Sequence, residues 1–252
     1  MLRYVAAVAL AVSCLAVSRA ATAQPAAASD PSRKWEITDN SFLVEEAFNQ
    51  ERGVFQNILT WTRERNGDWA AGFTQEWPAP GMTHQFSYTV PFGGTTTARG
   101  LGDVMLNYRY QLRTESGRGP AVSPRLSVIL PSGRESDGFG SGTAGLQFNL
   151  PMSKQVGDLY VHANAGHTWL PDVEQTTFVA GSGIWRARPM VNLMLESVVE
   201  IGESVTVSPG VRGGWNLGEA QLVIGAAVPF TRVDGRTTSA VLGYFSYERP
   251  FR

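Results

Sequence analysis

The sequence predicts an all-β fold: an antiparallel, up-and-down transmembrane β-barrel of about 12 strands, preceded by a cleaved signal peptide. Three observations carry this expectation. Apolar and polar residues alternate with a period of two, over and over, with turn residues between the runs. The polar partners are Gly, Ser, Thr, Asn and Gln far more than charged residues, and Lys34 and Lys154 are the only lysines in 252 residues. The solvated face of a soluble sheet normally carries more charge. The runs are also long, most about eight to ten residues, close to the roughly nine to eleven of a tilted strand that crosses a bilayer.

The first 23 residues read as a secretory signal. Arg3 supplies the positive start, residues 5–17 are almost wholly apolar, and Ala21-Thr22-Ala23 is a small-x-small cleavage site before Gln24. Cleavage there removes two arginines and no acid, so the net charge moves from -1 to -3. Cys14, the sole cysteine, leaves with the signal, which excludes a disulfide framework and a cysteine-based zinc site. A lipoprotein reading of Ala11-Val12-Ser13-Cys14 would leave only a short apolar segment before the cysteine. Residues 24–40, with their Ala/Pro/Ser-rich start, read as a flexible linker. Residues 41–252 then form the barrel with a short periplasmic segment at its beginning, where a helical turn over 42–49 is one option.

Twelve runs follow: 54–61, 69–77, 82–90, 103–112, 122–130, 144–150, 159–168, 178–185, 191–199, 205–211, 222–230 and 239–247. The clearest is 103–112, where Val104, Leu106, Tyr108, Tyr110 and Leu112 oppose Asp103, Met105, Asn107, Arg109 and Gln111. Turn clusters such as Arg65-Asn66-Gly67-Asp68, Asn216-Leu217-Gly218-Glu219 and Asp234-Gly235 separate the runs and keep connections short. Trp61, Trp69, Trp77, Trp169, Trp185 and Trp215 sit at or near strand ends, as in the aromatic girdles of membrane barrels. The last run continues to Phe251, with Val241, Phe245, Tyr247 and Phe251 on one parity. A final strand of this kind resembles the signal by which the barrel assembly machinery recognises its clients, so Phe245, Tyr247 and Phe251 are the expected contact. Pro250 and Arg252 depart from that signal.

Several segments together resemble the outer-membrane family labelled "MetA-pathway of phenol degradation". They are Ser41-Phe42-Leu43-Val44-Glu45-Glu46-Ala47-Phe48-Asn49-Gln50-Glu51 followed by Gly53-Val54, and Phe73-Thr74-Gln75-Glu76-Trp77-Pro78. Gly100-Leu101-Gly102-Asp103-Val104 with Tyr108-Arg109-Tyr110-Gln111, and Gly145-Leu146-Gln147-Phe148-Asn149-Leu150-Pro151, complete the set. The resemblance covers residues 41–252. It implies a transporter-like barrel in the bacterial outer membrane, and only through the family's label does it imply an aromatic solute.

No catalytic motif emerges. An outer-membrane lipase of twelve strands would need a His and a Ser on one face, two residues apart. His84, His162 and His167 all lack that partner. Glu45, Glu46 and Glu51 either form a solvated or plugging segment or bind a cation through oxygen ligands. The near-balanced charge, 21 basic against 22 acidic residues, speaks against a nucleic-acid partner. Asp103, Asn107, Arg109, Arg125, Gln147, Glu196 and Arg212 all fall on polar faces, so they are expected to line the lumen. Two outcomes stay open: a mixed-charge constriction that selects solutes, or a lumen packed shut by ion pairs. The expectation is therefore a channel in the outer membrane with lipid around it and a small solute inside. It would use neither enzyme chemistry nor a cofactor. A closed structural or adhesive barrel is the alternative.

Overall fold

Strands that alternate in polarity and are joined by short turns close on themselves in the computed structural model, which describes residues 36, 37, 39–117, 119–171, 173 and 175–251. Eight of the strands are continuous: β1 (Val54–Glu64), β2 (Trp69–Pro78), β3 (His84–Gly94), β7 (Leu159–Trp169), β8 (Thr176–Arg188), β9 (Val191–Glu200), β10 (Ser204–Leu217) and β12 (Arg236–Pro250). Four are interrupted: β4 (Arg99–Leu101, Met105–Tyr110), β5 (Ala121–Val122, Arg125–Ile129), β6 (Gly145–Asn149, Met152–Val156) and β11 (Ala220–Ala227, Phe230–Val233). Each strand pairs antiparallel with the next, and β12 returns to β1 through a register running from Val54↔Pro250 to Glu64↔Ala240. The result is a closed twelve-strand barrel. Closure leaves no sheet edge with unpaired N–H and C=O groups, the requirement hydrocarbon imposes on any spanning sheet.

Proline explains three of the four interruptions. Pro124, Pro151 and Pro229 lack an N–H and cannot complete the ladder. Their carbonyls still accept, from Tyr110 N at 3.0 Å, Ser123 N at 3.1 Å and Ala240 N at 3.0 Å. All twelve runs read from the sequence are strands here, most of them longer than their alternation alone indicated.

The register makes the barrel inverted relative to a soluble protein. Leu59, Phe86, Leu106, Val128, Val161, Val179, Leu195, Val207, Ile224 and Phe245 face outward and are exposed. Gln56, Gln85, Asn107, Arg109, Gln147, Asn164, Glu196, Ser208 and Arg212 face inward and are buried. Trp77, Trp185 and Trp215 ring the outer face near the proximal end, where the barrel begins and ends; Trp69 and Trp169 sit near the distal end. Amphipathic rings at both ends of an apolar band suit the two interfaces of a bilayer.

The interior is filled by the chain that precedes β1. Ile37, Phe42, Val44 and Ala47 are buried, with Ile37 and Phe42 in one cluster with Ile58, Ile184, Met194, Val223, Leu242 and Tyr244 of the wall. Residues 42–49 do not form the helical turn that the sequence leaves as one option there. Side chains of the wall bind most of their backbone amides, and Asn40 Oδ1 of the segment itself accepts from Glu46 N at 3.1 Å. The stretch expected as linker, 24–40, lies outside the described residues apart from Glu36, Ile37, Asp39 and Asn40, and the last three are buried within the barrel. The signal peptide lies wholly outside the described residues.

Candidate functional site: a lumen occupied by the N-terminal segment

An extended segment inside a barrel must find partners for every backbone N–H and C=O it buries. Here the wall supplies them with side chains. Glu196 Oε1 accepts from Leu43 N at 2.8 Å and Val44 N at 3.3 Å. Asn164 Oδ1 accepts from Glu45 N at 2.9 Å, and Asn164 Nδ2 donates to Glu45 O at 2.8 Å. Ser153 Oγ accepts from Ala47 N at 2.7 Å, Ser123 Oγ donates to Ala47 O at 2.9 Å, and Gln85 Oε1 accepts from Gln50 N at 2.7 Å. Arg212 Nη1 donates to the carbonyls of Asp39 and Asn40 at 3.0 and 2.5 Å. These partners come from β3, β5, β6, β7, β9 and β10, so the segment spans the lumen and acts as a plug.

Side chains of the plug sort by wall chemistry. On the apolar side, the Phe42 ring lies 4.9 Å from that of Tyr244. A Cβ on Gly225 would stand 2.3 Å from Phe42 Cζ, so glycine is what lets the ring approach the wall. On the polar side, Glu45 meets two arginines. Its Oε1 lies 3.1 Å from Arg109 Nη1 and its Oε2 lies 2.8 Å from Arg125 Nε, with Asn149 Nδ2 donating to Oε2 at 2.8 Å. Arg109 also donates to Glu46 O, Phe48 O and Asn49 Oδ1, at 3.0, 2.5 and 2.9 Å. Burial pushes the Glu45 carboxyl up, but Arg125 and Arg109 outweigh it and hold it below its ordinary range. Glu46 finds no such clamp. Burial pushes it up to about 8, Asp39 and Glu76 push the same way, and Arg109 and Arg212 only partly offset them. Asp39 accepts from Tyr244 Oη at 2.7 Å and Gln56 Nε2 at 2.6 Å through Oδ1, while its buried Oδ2 has no partner among the described residues.

Of the seven residues expected along the lumen, Asn107, Arg109, Arg125, Gln147, Glu196 and Arg212 sit on inward strand positions and Asp103 lies in the break of β4; they fall in three groups. Arg109, Arg125, Asn107 and Gln147 form one network: Arg125 Nη1 donates to Asn107 Oδ1 and Arg125 Nη2 to Gln147 Oε1, both at 2.9 Å. Glu196 and Arg212 lie across the lumen and hold plug backbone. Asp103 belongs to neither, since its carboxylate accepts from Gly133 N, Ser141 N and Ser141 Oγ at 2.9, 2.7 and 2.6 Å and pins the distal loop 130–144. Sequence reasoning missed Glu45 as the partner of Arg109 and Arg125, and gave Asn149, Asn164 and Ser153 no part in holding the segment. The available signal was the excess of amide and hydroxyl side chains on inward parity, more than a water-filled wall needs.

Searching for a Ser two residues from a His also overlooked a pair across strands. Ser153 Oγ and His162 Nδ1 lie 2.7 Å apart on β6 and β7. The pair is buried beneath Ala47, and among the described residues no carboxylate hydrogen-bonds to the imidazole. His84 and His167 face outward, bonded to Tyr108 Oη at 2.6 Å and Thr177 Oγ1 at 2.8 Å. Among the described residues no three His, Cys, Asp or Glu side chains converge as a metal site, so Glu45, Glu46 and Glu51 do not form one.

No protein-family model and no curated protein matches the chain. Among solved structures the chain is similar to the COG4313 outer membrane channel from Pseudomonas putida F1, with a TM-score of 0.64 and 11% sequence identity over 86% of this chain and 100% of that one. At that identity the likeness concerns the fold, a barrel also used by an outer-membrane channel.

Proposed function

We propose that the protein is a channel of the bacterial outer membrane that passes small solutes passively through its lumen, and that the N-terminal segment is the gate. The observation that carries this reading is what fills the lumen. A single chain segment occupies the lumen, and the strand pairs that close the barrel do not include it. Twelve strands at about 4.8 Å spacing and about 40° tilt give a backbone diameter of roughly 24 Å, which leaves a narrow polar bore once the segment is out. Location in the outer membrane is supported by the apolar outer band, the aromatic rings at its ends and the likeness to a channel of that membrane.

The same dense plug contacts support a second reading, a closed structural barrel. Conductance in planar bilayers separates them. The full chain should conduct weakly and in brief openings, and a variant lacking residues 36–50 should conduct steadily. If the shortened variant folds and stays silent, the closed-barrel reading stands. The buried Ser153–His162 pair gives lipid hydrolysis little support, and release of fatty acid from dispersed phospholipid would be needed to revive it.

A further inference from the structure

The Glu45 carboxylate sits in a receptor built almost entirely from other strands. Arg109 on β4, Arg125 on β5, Asn149 and Gln147 on β6, and Asn164 on β7 are neighbours in the wall, with Arg109 registered to Arg125 and Arg125 to Asn149. Two guanidinium groups and an amide donor converge on one carboxylate, the arrangement that recognises carboxylates through charge-assisted hydrogen bonds. We propose that this receptor is a binding site for the carboxylate of a small organic acid, and that Glu45 occupies it in the closed state as an internal stand-in. The proposal names the solute class of the channel and rests on that reading.

Three features point beyond a purely structural clamp. First, Glu45 fills the receptor imperfectly. Arg125 Nε lies within ion-pair distance of Glu45 Oε2 but off the line a hydrogen bond requires, and the buried Gln147 Nε2 has no partner among the described residues. A carboxylate free of the backbone tether can align with Arg125 Nε. Second, this is where two guanidinium groups stand together in the described interior, with Arg109 registered to Arg125. Arg212 is committed to plug carbonyls. Glu46 follows Glu45 in the plug and Glu76 reaches Arg109 through Gln85, so Arg109 is shared with those acids, while Arg125 is held by the neutral Asn107 and Gln147 and keeps its charge for the bound carboxylate. Third, the plug cannot leave without stranding those two arginines. A buried guanidinium that loses its partner is strongly destabilising, and an incoming carboxylate removes that penalty. Solute binding and plug release are thereby linked: each favours the other. Access is graded in the sense this requires, since the Glu45 and Arg125 side chains are 17% and 13% exposed while Arg109 is 2% exposed. As a tethered competitor Glu45 acts at an effective concentration on the order of millimolar, so the wild-type protein should respond only to acids in that range or above.

The test uses benzoate, with benzamide as the uncharged match of the same shape, titrated calorimetrically into the refolded full chain in detergent. In Glu45→Gln, benzoate should bind about tenfold or more tighter than in wild type, and Arg125→Gln in that background should cost about tenfold or more. Benzamide should be indifferent to both changes. Equal binding of benzoate and benzamide to Glu45→Gln, or benzoate binding unchanged by Arg125→Gln, overturns the proposal. Should Glu45→Gln not fold, the wild type decides: millimolar benzoate should raise proteolysis within residues 39–50 and benzamide should not, and equal effects overturn it. Binding in detergent requires no flux. A protein that binds benzoate yet never conducts refutes the channel reading alone, and one that conducts without distinguishing benzoate from benzamide refutes the carboxylate site alone.

Discussion

Single side chains decide how firmly the plug is held. Gly225 allows the Phe42 ring against β11, and Phe42 in turn packs at a tilt against Tyr244. Gly225→Val should force that ring out at a cost of about 1–3 kcal/mol, typical of overpacking. The expected outcome is faster proteolysis within residues 39–50 with an intact barrel, scored by gel mobility before and after heating. Glu46 gives the plug a pH dependence whose sign follows from its surroundings. Its ordinary value is 4.5 and in the docked plug it rises to about 8, so docking takes up a proton between those limits. Docking is strongest, as far as this group is concerned, in acid below 4.5 and weakens as pH rises through about 8. Glu45 acts in the opposite sense, its contribution falling away only as pH drops below the ordinary carboxylate range. Protection of the plug from protease should therefore decline from about pH 5 to about pH 8 in wild type, and Glu46→Gln should flatten the decline. A profile unchanged by that substitution would assign the effect elsewhere.

Elements are specified by the two faces of each strand. β9 sets Leu193, Leu195 and Val199 outward and Asn192, Met194 and Glu196 inward, with Ser197 the only polar residue on the outer face between 193 and 199. Leu195, 58% exposed at mid-strand, faces the centre of the apolar band. Leu195→Arg should cost about 2–4 kcal/mol for a charge near the bilayer midplane, read as a lowered midpoint in guanidinium unfolding from phosphatidylcholine vesicles. A neutral result would place that face in water. The inward face shows why charge there is tolerated: Glu196 lies in the same strand and spends its Oε1 on two plug amides.

At the scale of the whole molecule, closure is the property that everything else presupposes. β12 pairs with β1 over eleven consecutive positions and with β11 on its other side. Removing residues 243–252 deletes most of the seam near the proximal end and exposes ladder groups of both neighbours, at several kcal/mol for each group left unsatisfied in hydrocarbon. The truncated chain should lose the compact, heat-modifiable gel species that folded membrane barrels give. If it keeps that species, another strand must close the barrel.

The sequence by itself determined the wall. Period-two alternation is a local property, and a strand in lipid cannot shift by one residue without turning its apolar face inward, so the twelve runs and the parity of Asn107, Arg109, Arg125, Gln147, Glu196 and Arg212 were legible from the residues alone. The contents of the barrel were not. Residues 41–51 carry no periodicity of their own, because their backbone is satisfied by side chains up to 153 positions away in the chain. Pairing of Glu45 with Arg109 and Arg125, of Ser153 with His162, and of Asp103 with its loop joins residues whose proximity follows only from ring closure and register. Tertiary structure therefore decided that the lumen is occupied and by what, for the physical reason that buried backbone accepts any correctly placed donor or acceptor and leaves no pattern in the sequence that supplies it.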